Sequence, residues 1–373
     1  MTGPPEWNPG ETRATTPAGS FAILPLRNAR RPKAGRGPVA RAARWLCAGA
    51  LAVGAAYCAA ADPLPLTGFN MAGAEFGTLP GQAGKDYNYP SQSDVTEMLL
   101  RGANVFRLPF RWERLQTKLG GPFDAAELDR LTAAVNMITS KGAKVIISPH
   151  NYARYQNEVI GSPAVPIADF AAFWRQLAAH FGDNSLVLFG LMNEPHDLPT
   201  LQWRDAANAA IAAIRAGGAM NLILAPGNNW TGGQSWNDPA GGASNADAMA
   251  DITDPQNNFA YEIHQYMDAD YSGTHGECQS PDVGEKALIG VTQWLTRIGR
   301  KGFLAEFGTS TNPVCLQAMD SMLYFAEDNP QAWIGWTYWA AGSWWGANWF
   351  SAQPREGVDP PQLTILLNHI AKH

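Results

Sequence analysis

The sequence predicts a single (β/α)8 barrel over residues 62–373, and three observations carry that reading. Eight apolar runs of strand character recur at long intervals. Amphipathic helical patterns separate most of them. Several runs finish on polar or ionisable residues, which a barrel gathers at the C-terminal ends of its strands. An open doubly wound sheet is the competing fold, but it does not require eight strands, and no glycine-rich nucleotide fingerprint follows the first run.

In chain order the runs are "TGFNMAG" (67–73), "ANVFRLPF" (103–110), "AKVIISPHNY" (143–152), "SLVLFGLMNEP" (185–195), "NLILAPGN" (221–228), "NFAYEIHQY" (258–266), "GFLAEFG" (302–308) and "WIGWTYWAAG" (333–342). The helical signal is plain in "DAAELDRLTAAVNMITSKG", where Leu128, Leu131, Val135 and Ile138 share one face. Asp124 is placed to cap its start with Glu127 reaching back, and Gly142 to end it. Similar patterns cover 166–181, 203–216, 284–300, 316–327 and 361–372. The stretch 229–257 is rich in Gly, Asn, Asp and Pro, so it predicts a long loop and a short fifth helix. From Asp62 onward no linker or repeat divides the chain.

Charge separates the N-terminal segment from the body. Residues 1–61 carry eight Arg and Lys against Glu6 and Glu11, so the formal total of −6 leaves −12 on residues 62–373. An acidic body argues against nucleic acid as a partner. Residues 1–40 are a Pro/Gly/Arg-rich leader without periodicity, either a long leader or the product of a start assigned too early. Residues 41–61 match an export signal: Arg41 and Arg44, the apolar run "WLCAGALAVGAAYCAA", then small residues before Asp62. The run is short for a membrane span. The expectation is a secreted protein, released to the medium or a periplasm, with no membrane association after cleavage. Of four cysteines only Cys278 and Cys315 then remain, an even pair that points to a disulfide joining the loops after strands six and seven.

The strand endings form a short list of candidates. Arg107, His150, Asn193, Glu194, His264, Tyr266, Glu306 and Trp339 all fall late in a run or just beyond one. Ionisable groups that end apolar strands need a partner, a wet cleft or a chemical task. Two glutamates across one barrel mouth suit hydrolysis of a glycosidic bond, where one carboxyl protonates the leaving oxygen and the other attacks or activates water. Metal-dependent hydrolysis is disfavoured because the seven histidines show no H-E-x-x-H pattern, and Ser235 in "GQSWN" lacks the closing glycine of a nucleophile elbow. No metal or cofactor is expected. Trp112, Trp230, Trp236, Trp344 and Trp345 lie in or beside strand-end loops, where each is either a sugar platform or packing.

Taken together, "FRLP", "HNYARY", "MNEPHD", "HQY", "DADYSGTHGEC" and "EFG" resemble glycoside hydrolase family 5, in particular its secreted fungal-type endo-β-1,4-glucanases, over about residues 66–345. The resemblance implies Glu194 as acid/base, Glu306 as nucleophile, and Asn193 as the amide on the sugar 2-hydroxyl. It implies Arg107 and Tyr266 beside the nucleophile, His150 and His264 in the cleft, and Trp339 under the sugar. Trp230, His196 and Glu75 are further substrate-binding candidates. Where relatives often carry an acidic residue two before the histidine, this chain has Ser148. Arg107 is expected to lower the pKa of Glu306. The expected substrate is cellulose or a related β-glucan, cleaved internally with retention by a monomer; mannan, xyloglucan, mixed-linkage glucan and an idle carbohydrate-binding barrel are the alternatives.

Overall fold

The computed structural model describes residues 62–370, so the leader (1–40) and export segment (41–61) lie outside the described residues. Eight parallel strands close into a barrel: β1 (Leu66–Met71), β2 (Val105–Phe110), β3 (Lys144–Pro149), β4 (Val187–Gly190), β5 (Ile223–Pro226), β6 (Phe259–His264), β7 (Gly302–Glu306) and β8 (Trp333–Ala341). Each pairs with its neighbours in chain order, and β1 pairs β8 to close the ring. All eight overlap the runs read from the sequence.

Helices follow the strands: α1 (Gln92–Leu100), α2 (Ala125–Thr139), α3 (Ile167–Phe181), α4 (Thr200–Ala216), α5 (Asn245–Ala248), α6 (Val283–Ile298), α7 (Pro313–Glu327) and α8 (Pro361–His369). The single turn of α5 confirms the short fifth helix. α1 carries no pattern singled out in the sequence; a capping box between Ser91 and Asp94 starts it, and only Asp94, Val95 and Met98 of its nine residues are buried. Asp124 caps α2 as expected, but Glu127 does not reach back. Its carboxylate instead accepts the Tyr87 and Tyr89 hydroxyls and a bond from Arg130.

Period-two alternation sorts each strand into two layers. Val105, Ile146, Leu188, Leu224, Ala260, Phe303 and Ala305 fill the barrel interior, while Phe106, Ile147, Phe189, Ile263 and Leu304 pack outward into the larger core beneath the helices. The interior positions nearest the mouth are polar: Asn70, Arg107, Ser148, Glu262 and His264 are all buried. By strict alternation Glu306 would follow Leu304 outward. It does not, because the β6–β7 register slips by one residue between the pairs Ile263–Leu304 and His264–Glu306. That bulge turns the Glu306 carboxylate to the mouth, the re-aiming that bulges perform beside functional sites. A second slip, on β8, lies beside Trp339.

Trp112 and Trp236 are fully buried in the outer core and so are packing residues, not sugar platforms. Cys278 and Cys315 form the expected disulfide, with Cα atoms 5.1 Å apart. It ties the loop after β6 to the first turn of α7, not to the loop after β7. The sequence separation of 37 residues corresponds in the chain-entropy model to about 4 kcal/mol of stabilisation. The double variant Cys278→Ser/Cys315→Ser should lose up to that amount in urea unfolding. The described pair should contribute no free thiol when the unreduced, unfolded protein is titrated.

Candidate active site

Arg107 stands at the centre of the mouth, fully buried. One terminal nitrogen donates to Asn70 Oδ1 at 2.9 Å and to Glu306 Oε2 at 3.0 Å. The other donates to Asn193 Oδ1 at 2.7 Å, Glu262 Oε1 at 3.0 Å and, more weakly, Ser148 Oγ at 3.3 Å. Asn70 is itself fixed by bonds from its amide to the carbonyls of Ala305 and Thr337. β1, β2, β3, β6, β7 and the turn after β4 are thereby joined through one guanidinium. Ser148, where relatives often place an acid, fills its position as an uncharged contact to Arg107.

Glu194 lies in the turn beyond β4, where its backbone has φ +41°, a left-handed conformation uncommon for a residue with a side chain. Backbone bonds over-determine that turn: Asn193 N–H to Pro149 O, Tyr152 N–H to Asn193 O, and Trp230 N–H to Pro195 O. Strain of about 1–3 kcal/mol is sustained by such surroundings. The carboxylate Oε1 of Glu194 lies 2.9 Å from His264 Nδ1, and His264 Nε2 lies 3.2 Å from Glu262 Oε1. On the far side Tyr266 O–H donates to Glu306 Oε1 at 2.9 Å.

One oxygen of Glu194, one nitrogen of His264 and one oxygen of Glu306 fall within 4.8 Å of one another. Geometrically that trio, like Asp268, Asp270 and His275, is compact enough for a metal ion. A divalent cation at the first would sit beside the Arg107 guanidinium, which already holds Glu306, so the electrostatics disfavour it. Asp268 is occupied by the backbone N–H groups of Gly273, Thr274 and His275 and by the Ser272 hydroxyl.

Burial dominates the protonation of the site. It raises Glu306 above the ordinary carboxyl range; His264 and Arg107 pull the other way, while Glu194 adds to the rise. Arg107 lowers the Glu306 carboxyl as expected, but the desolvation of a fully enclosed carboxyl outweighs the ion pair, so the net shift is upward. Burial opposes charge on His264, yet the carboxylates of Glu306, Glu194 and Glu262 lift it to about 9. His150 is pushed well below the usual histidine range by burial and by Arg107, so it is neutral near pH 7. With its Nε2 3.3 Å from the Asn193 amide nitrogen, His150 accepts there and carries its proton on Nδ1, which has no hydrogen-bond partner among the described residues.

The remaining candidates divide. Trp339 lines the same cleft of about 530 Å³ as His150, Glu194, Tyr266 and Glu306, and stacks on His150 at 5.5 Å. Trp345 and Trp349 join it there. Trp230 lines a separate depression with Asp197 and Asn228, and one of its faces is covered by His196 at 4.5 Å. His196 is buried beneath that ring and its Nδ1 donates to Glu194 O at 2.9 Å, so it supports neighbours. Glu75 is buried off the cleft lining; its Oε2 accepts from Gly73 N–H at 2.7 Å and burial raises its carboxyl to about 8. Sequence reasoning passed over Asn70 and Glu262. The signal for Glu262 was its i, i+2 spacing to His264, two polar residues on one face of an otherwise apolar strand.

Removing the guanidinium would leave Glu262 buried without its cation. Arg107→Met should therefore lower stability by about 3–5 kcal/mol in urea unfolding.

Residues 59–342 match the family model of the cellulases of glycosyl hydrolase family 5. The chain is 39% identical over 294 residues to endo-beta-1,4-glucanase B of Emericella nidulans, covering 78% of this chain and 87% of that protein. It is 41% identical over 304 residues to endoglucanase 3 of Humicola insolens, covering 80% and 76%. Among solved structures, an endo-beta-1,4-glucanase from Xanthomonas axonopodis pv. citri superposes with a TM-score of 0.81 at 45% identity, covering 83% of this chain and 99% of that one. The structure of XacCel5A in complex with cellopentaose gives 0.80 at 45% identity, with 82% and 99% covered. The closed eight-stranded barrel, the two carboxyls at its mouth and these similarities lead to one conclusion: the chain belongs to the cellulases of glycosyl hydrolase family 5.

Proposed function

We propose that the protein is a retaining endo-β-1,4-glucanase in which Glu306 is the nucleophile and Glu194 the general acid/base. The observation that carries this reading is the approach of the two carboxyls, with an oxygen of each no more than 4.8 Å from the other, which fits a retaining site and falls short of the gap of ~6.5–9.5 Å an inverting enzyme needs for water. Arg107 and Tyr266 donate to Glu306 from opposite sides, which fixes its direction of attack and stabilises its charge.

In the first step a Glu306 oxygen bonds to the anomeric carbon as the glycosidic bond breaks, and Glu194 gives its proton to the departing oxygen. In the second, Glu194 takes a proton from water, the water oxygen bonds to the anomeric carbon, and Glu306 leaves as carboxylate. Asn193 serves the 2-hydroxyl, His150 lines the cleft beside it, and Trp339 is the platform under the sugar. Trp230, braced by His196, receives the leaving side of the chain. Glu75, neutral at pH 7, sits behind the glycone side.

The substrate is a β-1,4-glucan, a reading supported by the glucanase names of the relatives and the cellopentaose bound to XacCel5A. The protein acts as a monomer after export and cleavage near Asp62, which removes residues 1–61. The Cys278–Cys315 bond suits an oxidising compartment, and no helix among the described residues is long and apolar enough to cross a membrane.

Incubated with carboxymethylcellulose, barley glucan, mannan, xylan and xyloglucan, the protein should act best on the glucans. Viscosity should fall far ahead of reducing-sugar release; monosaccharide released only from chain ends would reject the endo reading. Glu194→Ala should nearly abolish cellulose hydrolysis but still react with an activated aryl β-cellobioside, and azide should convert the intermediate to a β-glycosyl azide. Glu306→Ala should be inert to the same substrate, with azide giving only the α-azide. The opposite pairing would exchange the two roles.

A further inference from the structure

We propose that Glu262 is a positioning residue that keeps a proton on His264 Nε2, so that His264 Nδ1 is left to share the acid/base proton of Glu194. The proposal rests on the assignment of Glu194 as acid/base. Glu262 touches no part of the cleft lining. It lies inside the barrel on β6, fully buried, with Oε1 accepting from Arg107 at 3.0 Å and facing His264 Nε2 at 3.2 Å.

An ionised carboxyl only accepts hydrogen bonds, and a neutral imidazole has one N–H. Glu262, ion-paired with Arg107 at 3.0 Å, faces Nε2 as an acceptor and so requires that hydrogen on Nε2. Nδ1, 2.9 Å from Glu194 Oε1, then accepts when Glu194 is the protonated acid, or donates, as part of an imidazolium, when Glu194 is the carboxylate base. Both arrangements keep Nε2–H on Glu262, so the proton on the Nδ1–Oε1 contact moves without any side chain turning. With the opposite tautomer Nε2 would face Glu262 without a hydrogen and Nδ1 could not accept from protonated Glu194, so the shared proton would have no acceptor across the contact.

The groups facing this trio are Arg107 from β2, His150 beyond β3, Tyr266 beyond β6 and Glu306 on β7, with Glu75 behind Glu306 and Arg107. Glu262→Gln leaves all of them in place. It removes one negative charge while the amide oxygen keeps the place of Oε1, accepting from Arg107 and from His264 Nε2, so the hydrogen on Nε2 is held by a weaker acceptor.

The test compares the unmutated protein with Glu262→Gln and Glu262→Asp in the pH dependence of kcat/KM for cellopentaose and for an activated aryl β-cellobioside, alongside 15N NMR of the histidines and thermal unfolding. Glu262→Gln should move the alkaline limb on cellopentaose to lower pH by about one unit. It should change the aryl substrate by only a few-fold, because that leaving group needs no acid. Glu262→Asp, which keeps the charge, should return the limb toward its original position. The NMR should find Nε2 of His264 protonated in the unmutated protein and its imidazolium losing a proton at lower pH in Glu262→Gln. An equal loss on both substrates with the limb unmoved would overturn the proposal, reducing Glu262 to a structural anion. Nε2 without a proton in the unmutated protein would also overturn it, and that readout decides even if Glu262→Gln fails to fold. Inactivity of the unmutated protein on cellopentaose, with the NMR as expected, would instead reject the glucanase reading and leave the Glu262–His264 arrangement standing.

Discussion

The site is organised around one buried cation. A guanidinium enclosed by protein must replace the water it has lost, and Arg107 does so at its two terminal nitrogens with acceptors from β1, β3, β6, β7 and the turn after β4. A lysine could satisfy only part of that set, since the planar fork reaches carboxylates and amides in fixed directions. Glu306, Asn193 and Glu262 are therefore located by the same group. Through Glu262 and His264 its influence reaches Glu194, so the two carboxyls at the mouth are tied to a common origin.

Around that centre the protein holds several arrangements that are unfavourable taken singly. Glu194 adopts a left-handed backbone, Glu306 and Glu75 are carboxyls enclosed against their ordinary titration, and His264 sits among three carboxyls. Each is sustained by something rigid. Backbone bonds to neighbouring strand ends hold the Glu194 turn. Behind Tyr266, the Asp268-capped loop brings Gly273 so close to the tyrosine ring that a side chain there would collide with it. The disulfide anchors the end of that loop to α7. The consequence is a fixed distance from the tyrosine hydroxyl to Glu306.

Much of this was legible beforehand, for identifiable reasons. Strands with both faces enclosed are written as apolar runs, and helices on a barrel's rim as 3.6-residue stripes, so eight strands and most helices could be read directly. α1 escaped because nine largely polar residues show little stripe. Residues such as Asn193, Glu194 and His264 stood out as polar groups ending apolar runs. Glu262 did not, because it lies within its strand, where a single acid does not reveal whether it faces a barrel's interior or its helices. Trp112 and Trp236 looked like platforms only because loop position says nothing about burial.

By itself the sequence determined the order of strands, the chemistry available at their ends and the cysteine pair, since periodicity and residue type are local properties. The direction of Glu306 was decided only by tertiary structure: alternation along β7 points it toward the helices, and one residue of slippage against β6 turns it back to Arg107. The protonation of the site was likewise settled there. Whether a carboxyl rises or falls depends on the water it has lost set against the charges around it, and both quantities exist only once strands distant in the chain have closed into a ring.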